Sequence, residues 1–273
     1  GGARRVTIDS IPQFIEEIGK IGELVRVSHP VRAELEICEI ADRVMKSPGG
    51  GPALLFEHVL LRDGSRSPYP VAINLFGSMR RMALSLGVAD LDDIGARITE
   101  LVQLKVPDGL MGKLAMLPRL LEIGKFPPRV KGGTPACQAV VWKGDDIDLS
   151  KLPIITCWPE DGGPYITLPM VISRDPVRGI RNVGMYRVQQ LGKSTLAMHW
   201  QRHKVGAAHW REMAERRETM PVCIAIGADP ASVYSASAPL PPTIDEFLFA
   251  GFLRREPVRL AKALTWDLEV PVA

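Results

Sequence analysis

Residues 182–204, Asn-Val-Gly-Met-Tyr-Arg-Val-Gln-Gln-Leu-Gly-Lys-Ser-Thr-Leu-Ala-Met-His-Trp-Gln-Arg-His-Lys, restrict the fold more than any other stretch of the chain. Met185 to Leu191 carries strand-favouring residues, Gly192-Lys193-Ser194 supplies turn chemistry, and Thr195 to Trp200 reads as a second strand. The pattern predicts a β-hairpin. Side chains two residues apart share one face of a strand, so Tyr186, Val188 and Gln190 look one way and Met185, Arg187 and Gln189 the other. Arg, Gln and a nearby His make an odd core, because buried polar groups cost free energy unless they are paired. The Arg187 face is therefore either solvated or built around an anionic ligand.

The 273 residues suit two domains better than one. An apolar share of 46% with 24% charged residues describes a soluble globular protein. The excess of 34 basic over 31 acidic side chains is small and scattered, and Lys-Arg runs with interleaved aromatics are missing. No nucleic-acid partner is expected. Cys38, Cys137, Cys157 and Cys223 stand far apart without a CxxC, which predicts free thiols in a reducing, cytoplasmic setting. No apolar run reaches the ~18 residues that would suggest a membrane span, and no signal peptide is visible. The chain opens Gly1-Gly2 without Met and closes on Glu269 to Ala273 without a polar tail, so a fragment of a longer protein is expected.

Along the chain, Ser10-Ile11-Pro12 marks a helix start and Gly19 and Gly22 its end. A strand is expected at 24–27, a helix from about 34 to 45, strands at 53–56 and 71–76, then helices near 80–86, 91–105 and 110–123. Residues 1–126 thus read as an α/β domain. The glycine run 49–51 lacks the Lys-Ser/Thr of a phosphate loop and reads as a plain turn. Pro127-Pro128 to Gly133 is a linker candidate. Residues 134–273 change texture, with short strands expected at 138–142, 154–156, 166–173, 222–226 and 258–265 and two helices, about 207–217 and 243–253. That rhythm fits a mostly antiparallel barrel or sandwich.

Few residues announce chemistry by themselves. Glu246 follows Thr243 by three residues, which reads as a capping box. His199 and His203 are four apart, but His199 sits in a strand, so a helical metal pair is not expected and a satisfied polar role is the simpler reading. Asn182 before a glycine passes as a turn residue, and Asp145, Asp146 and Asp148 lack the Glu and Gly of a calcium loop. The Trp158 to Gly163 loop is either a lid or a packed corner.

Taken together, several ordered stretches resemble the UbiD family of carboxy-lyases from about residue 8 to the end. They include Gly51 to Glu57, Asn74 to Gly77, Gly144 to Leu149, Pro153 to Asp161, Asn182 to Arg187, Gly227 to Pro230 and Glu246 to Gly251. The Thr-Cys-Trp-Pro-Glu-Asp string resembles the 4-hydroxy-3-polyprenylbenzoate decarboxylases of quinone biosynthesis more than the ferulic acid decarboxylases. The resemblance implies an α+β protein: an N-terminal α/β domain, then a split antiparallel β-barrel that binds prenylated FMN, incomplete here at its C-terminal end. It implies non-oxidative (de)carboxylation of aromatic or α,β-unsaturated acids, with the modified flavin accepting electron density as CO₂ leaves.

By motif position, the resemblance implies Asn182, His199 and Glu246 as ligands of a divalent metal, manganese or magnesium, with potassium as a further candidate ion. It implies Met185, Tyr186, Arg187, Met198, His199, Trp200, Gln201, Lys204, Ala236, Ser237, Ala238 and Glu246 around the cofactor. The 236–238 segment is read as a loop. Arg187 matches the family's active-site arginine, expected to hold the substrate carboxylate. The acidic segment that completes that network in the family is missing, so this chain is expected to lack turnover by itself and its full-length parent to be a homo-oligomer. The rival expectations are a non-catalytic flavin- or phosphate-binding module and an assembly subunit without flavin.

Overall fold

Ser10 caps the first helix, α1 (Ile11–Lys20): its hydroxyl accepts from the Gln13 N–H at 3.3 Å, and Pro12 lies in the first turn, where a missing N–H leaves nothing unmade. The computed structural model describes residues 7–102, 121–122, 124–240 and 244–272. The fold is mixed α+β. After α1 come β1 (Leu24–Val27), β2 (Val31–Arg32), α2 (Glu36–Met45), β3 (Ala53–Phe56), β4 (Val59–Leu60), β5 (Val71–Ile73), α3 (Met79–Ser85) and α4 (Asp92–Val102). β3 is the central strand of β1-β3-β5, parallel to β1 and antiparallel to β5. All four of its residues are buried, which explains a continuous apolar run where an edge strand would alternate.

The expected strand at 71–76 stops at Ile73 because Asn74 takes a left-handed backbone (φ 59°). The Asn74 side-chain amide donates to the Gly50 and Pro52 carbonyls, both at 2.9 Å, and the buried Arg81 donates to Gly51 O at 2.9 Å while pairing with Glu23 at 2.8 Å. A side chain at Gly50 would press within 2.0 Å of Gly77 O. The glycine run is therefore a turn packed against protein, as its sequence indicated.

The second half contributes β6 (Arg129–Val130), β7 (Tyr165–Ile166), β8 (Met170–Arg174), β9 (Arg181–Met185), β10 (Val188–Gln190), β11 (Leu196–Met198), α5 (Val205–Glu215), β12 (Cys223–Ala225), α6 (Pro230–Ser237), α7 (Glu246–Arg254), β13 (Arg259–Lys262) and β14 (Glu269–Pro271). They form three sheets, β12-β8-β9, β11-β10-β7 and β14-β13-β6, and among the described residues no sheet closes on itself. Met170, Ile172 and Val183 turn one face of β8 and β9 onto Phe247, Phe249 and Leu253 of α7, the centre of the largest core. The other face gives Val171, which joins Tyr186 and Val188 in a smaller core between the first two sheets.

Further expectations differ. The strand expected at 154–156 is present only as isolated bridges of Ile155 and Thr156, and that expected at 166–173 divides into β7 and β8 in different sheets. Residues 138–142 form no strand: Ala136–Gln138 is a 3₁₀ turn, and Val140 and Val141 are exposed with no sheet to cover them. α6 was not expected, although Asp229 caps it and Pro230 opens it. The helix beginning near 243 starts at Glu246, capped by Asp245, whose carboxylate accepts from the N–H of Phe247 at 2.8 Å; Thr243 lies outside the described residues, as does most of the helix expected at 110–123. No helix among the described residues is long and apolar enough to cross a membrane.

Buried Ser173 on β8 bonds His209 Nδ1 of α5 at 3.1 Å, with Asp175 3.9 Å from Nε2. Burial holds the His209 pKa below its ordinary 6.5, against the pull of Asp175 and Glu212. The native state then binds fewer protons than the unfolded chain, so stability falls as pH drops below about 6.5 and levels off below the depressed native value. Glu246, whose pKa burial raises, titrates with the opposite sign over the same range, so the His209 contribution is read from the difference between the wild type and His209→Gln. Urea midpoints measured from pH 8 to pH 5 should show the wild type losing ground to the variant as pH falls, and a difference that does not change with pH would contradict the assignment.

Candidate active site

The chain passes from the sheet of β9 to the sheet of β10 across two residues, Tyr186 and Arg187. Tyr186 turns inward. Its ring lies over Gly184, where a Cβ would come within 2.4 Å, and its hydroxyl accepts from the Gly206 N–H at 3.3 Å with Asn182 Nδ2 at 3.5 Å. Trp200 meets it edge-on, 5.9 Å between centroids. Arg187 turns outward into a cleft of about 380 Å³, with Cys157, Trp158, Asp161, Tyr165, Gln189 and His199 on its walls. The predicted alternation holds for Tyr186 and Val188 against Arg187 and Gln189 but not at its ends. Met185, expected on the Arg187 face, packs on the large core, and Gln190 lies outside the core of Tyr186 and Val188, because the chain changes sheets at 186–187.

The cleft wall is held by specific bonds. Trp158 N–H donates to Asp161 Oδ2 at 3.0 Å, and Gln189 Nε2 donates to Gly162 O at 2.7 Å, fastening the 158–163 loop over the sheet. His199 N–H donates to Arg187 O at 2.9 Å, completing the hairpin. The cleft thus brings the Arg187 guanidinium, the Asp161 carboxylate and the aromatic side chains of Trp158 and Tyr165 to one open mouth.

Behind this wall, β9 is an edge strand whose Val183 N–H has no strand partner on its outer side. Glu246 Oε2 accepts that N–H at 3.0 Å. Burial pushes the Glu246 pKa up to about 7, with Asp245 adding to the rise and its two backbone hydrogen bonds and Arg181 opposing it. Arg181 itself pairs with Asp245 and Glu269 and lies 5.0 Å over the Phe247 ring.

The structure sorts the anticipated residues into separate groups. Asn182 is buried on β9 with its amide 3.5 Å from the Tyr186 hydroxyl, and Glu246 bonds the backbone of the next residue, Val183. His199 is exposed and lies with Arg187 in the cleft. Tyr186, Met198 and Trp200 share the inter-sheet core, whereas Met185, Ala236 and Ala238 pack on the large core. Gln201 and Lys204 are exposed, Lys204 at the N-cap of α5. Ala236 and Ser237 are the last turn of α6, not a loop; the Ser237 hydroxyl donates to Tyr234 O at 2.8 Å. Sequence reasoning gave no role to Cys157, Asp161 or Tyr165, which lie in or next to the aromatic loop, whereas alternation placed Gln189 on the Arg187 face. Among the described residues, no group of three or more His, Cys, Asp or Glu side chains is placed to hold a metal ion.

Two family models match. The 3-octaprenyl-4-hydroxybenzoate carboxy-lyase Rift-related domain covers residues 128–273, and the N-terminal domain of the same enzymes covers 15–98. The chain belongs to the UbiD carboxy-lyase family. A protein from Aquifex aeolicus is 46% identical over 258 residues, 94% of this chain and 52% of its own. One from Archaeoglobus fulgidus is 43% identical over 264 residues, 96% and 52% of the two chains. The UbiD-class enzyme HmfF of Pelotomaculum thermopropionicum, solved in complex with FMN, superposes with a TM-score of 0.77 at 26% identity over 96% of this chain and 52% of its own. This chain therefore spans about half the length of the relatives it matches.

Tyr186 gives the site its simplest test. Tyr186→Phe removes the acceptor of the buried Gly206 N–H, and leaving such a donor unpaired costs about 1–3 kcal/mol. Urea unfolding should register that loss with an unchanged m-value; an unaltered midpoint would show that the phenol does not organise the strand crossing.

Proposed function

We propose that this chain carries the carboxylate-binding and cofactor-binding part of a non-oxidative (de)carboxylase for aromatic or α,β-unsaturated acids, dependent on prenylated FMN and a divalent cation. The observation that carries the reading is Arg187 opening into a cleft walled by Trp158 and Tyr165. A guanidinium takes a carboxylate through two parallel hydrogen bonds, and aromatic walls suit a planar acid. A hydroxybenzoate of quinone biosynthesis is the first substrate to try, and a naphthoate the second.

The desolvated carboxyl of Glu246 is what supports a cation in this reading. A cation would stabilise its charge, and Asn182, from the strand Glu246 bonds, is proposed to add a neutral oxygen, a set suited to manganese or magnesium. His199 is the third proposed ligand, from the cleft side, and Lys204 a phosphate contact. Bound prenylated FMN would supply an electron sink for the charge left when CO₂ departs. The chain's own work is to hold the carboxylate at Arg187, to flank the ring with Trp158 and Tyr165, and to shield the wall with Tyr186 and Trp200. HmfF supports the cofactor assignment, having been solved with FMN and, in an evolved dimeric form, with prFMN. The same proposal includes the division into 1–126 and 134–273, a split barrel built on the two sheets that share Tyr186 and Val188, a homo-oligomer and a cytoplasmic setting.

Protein produced together with a source of prenylated FMN should release that cofactor, identified by absorbance and mass. Mn²⁺ at 100 times its Kd should stabilise it by about 2.7 kcal/mol, roughly 5–10 °C in Tm, and Glu246→Gln should abolish the rise. Release of ordinary FMN alone would favour a flavin-binding module, absence of any flavin an assembly subunit. A Mn²⁺ response undiminished by Glu246→Gln would remove that residue from the cation site.

A further inference from the structure

Cys38 and Cys157 meet where the N-terminal half abuts the cleft. Glu34 and Thr156 form a parallel bridge, with Leu35 N–H donating to Thr156 O at 2.9 Å and Thr156 N–H to Ala33 O at 3.2 Å. That ladder sets Cys157 beside the first turn of α2, which carries Cys38. Both side chains pack in one apolar cluster with Ile37, Phe56 and Ile155. Both are free thiols, close enough for each to shift the ionisation of the other. Cys38 is buried, whereas Cys157 opens on the Arg187 cleft and so on solvent. One thiol is shielded and one accessible, in contact, as a reactive and a resolving cysteine are arranged.

We propose that Cys38 and Cys157 are a peroxide-reactive pair that closes to a reversible disulfide across the seam between α2 and the cleft loop. The oxidant is hydrogen peroxide or an organic hydroperoxide. The Cys157 sulfur attacks a peroxide oxygen, the O–O bond breaks, and the thiol proton leaves in the water (or alcohol) released, giving a sulfenic acid at Cys157. The Cys38 sulfur then attacks the Cys157 sulfur, the S–O bond breaks, the S–S bond forms and a water departs. Two thiols lose two protons and two electrons, and one peroxide gains them. A small thiol reverses the bond by exchange. The order of attack follows from the environment. Interaction with Cys38 lowers the Cys157 pKa, with Arg187 assisting and burial and Asp161 opposing, which favours the thiolate on the cleft side. The same interaction, and then burial, raise that of Cys38 and keep it a thiol until the sulfenic acid forms. Burial also raises Cys223, so it should react slowly. Cys137 is the exposed competitor. The assignment is independent of what the cleft binds.

The test uses the unmutated chain at pH 7.5 with equimolar hydrogen peroxide, followed by alkylation, proteolysis and mass spectrometry, and by thiol counting in denaturant. Two of the four thiols should disappear, a Cys38–Cys157 peptide should appear, and dithiothreitol should restore both. Cys38→Ser should stop the reaction at a Cys157 sulfenic acid that dimedone traps, and Cys157→Ser should leave Cys38 unmodified. Cys157 remaining free in the unmutated chain, or joining Cys137 of the same or another molecule, would overturn the proposal whether or not the variants fold. Oxidation of Cys223 at the rate of Cys157 would do the same.

Discussion

The site depends on one backbone crossing. At Tyr186 and Arg187 the chain leaves one three-stranded sheet and enters another, and the two side chains go to opposite sides. Gly184 makes room for the Tyr186 ring, and the phenol oxygen takes the Gly206 N–H, tying the crossing to the start of α5. With Tyr186 anchored in a packed interior, Arg187 has no freedom to turn inward. Its charge faces the cleft because its neighbour's ring fills the core.

A second constraint comes from α7. An edge strand leaves N–H groups unpaired, and Glu246 satisfies one of them on β9 from the first turn of a helix whose other face is the centre of the largest core. The carboxyl is thereby drawn into a dry environment, which is why it ionises reluctantly. The ends of the chain are drawn together by comparable means: Arg254 of α7 pairs with Asp9 and, at 3.2 Å, with Asp229, while Arg259 reaches Asp9 at 3.1 Å. These pairs place α6 and α7 against the N-terminal segment, behind the sheets that build the cleft.

Periodicity and capping made much of this legible. Ser10-Ile11-Pro12 marked α1, the apolar run 53–56 marked a central strand, and alternation set Tyr186 and Val188 against Arg187 and Gln189. Local pattern did not show that the hairpin's first strand is divided between two sheets, because that depends on Gly184 accepting a tyrosine from two residues away. Glu246 resembled a capping residue and does sit in the first turn, but its carboxyl crosses to β9 while Asp245 does the capping. The strand expected at 138–142 failed because two adjacent valines had no sheet to join. Cys157 and Asp161 carry no spacing signal; the Ile155–Tyr165 bridge and the Gln189–Gly162 bond hold their loop at the cleft, and the bridge between Glu34 and Thr156, 122 residues apart in the sequence, ties its base to the N-terminal half.

The central claim, that Arg187 makes the cleft a receptor for planar carboxylates, is tested most directly by calorimetric titration of the chain with an aromatic acid and with its primary amide. The acid should bind one to one, the amide should fail to compete, and Arg187→Lys should weaken the acid at least about tenfold, since a lysine cannot reproduce the paired hydrogen bonds of a guanidinium. Equal binding of acid and amide, or an affinity untouched by Arg187→Lys, would contradict the account.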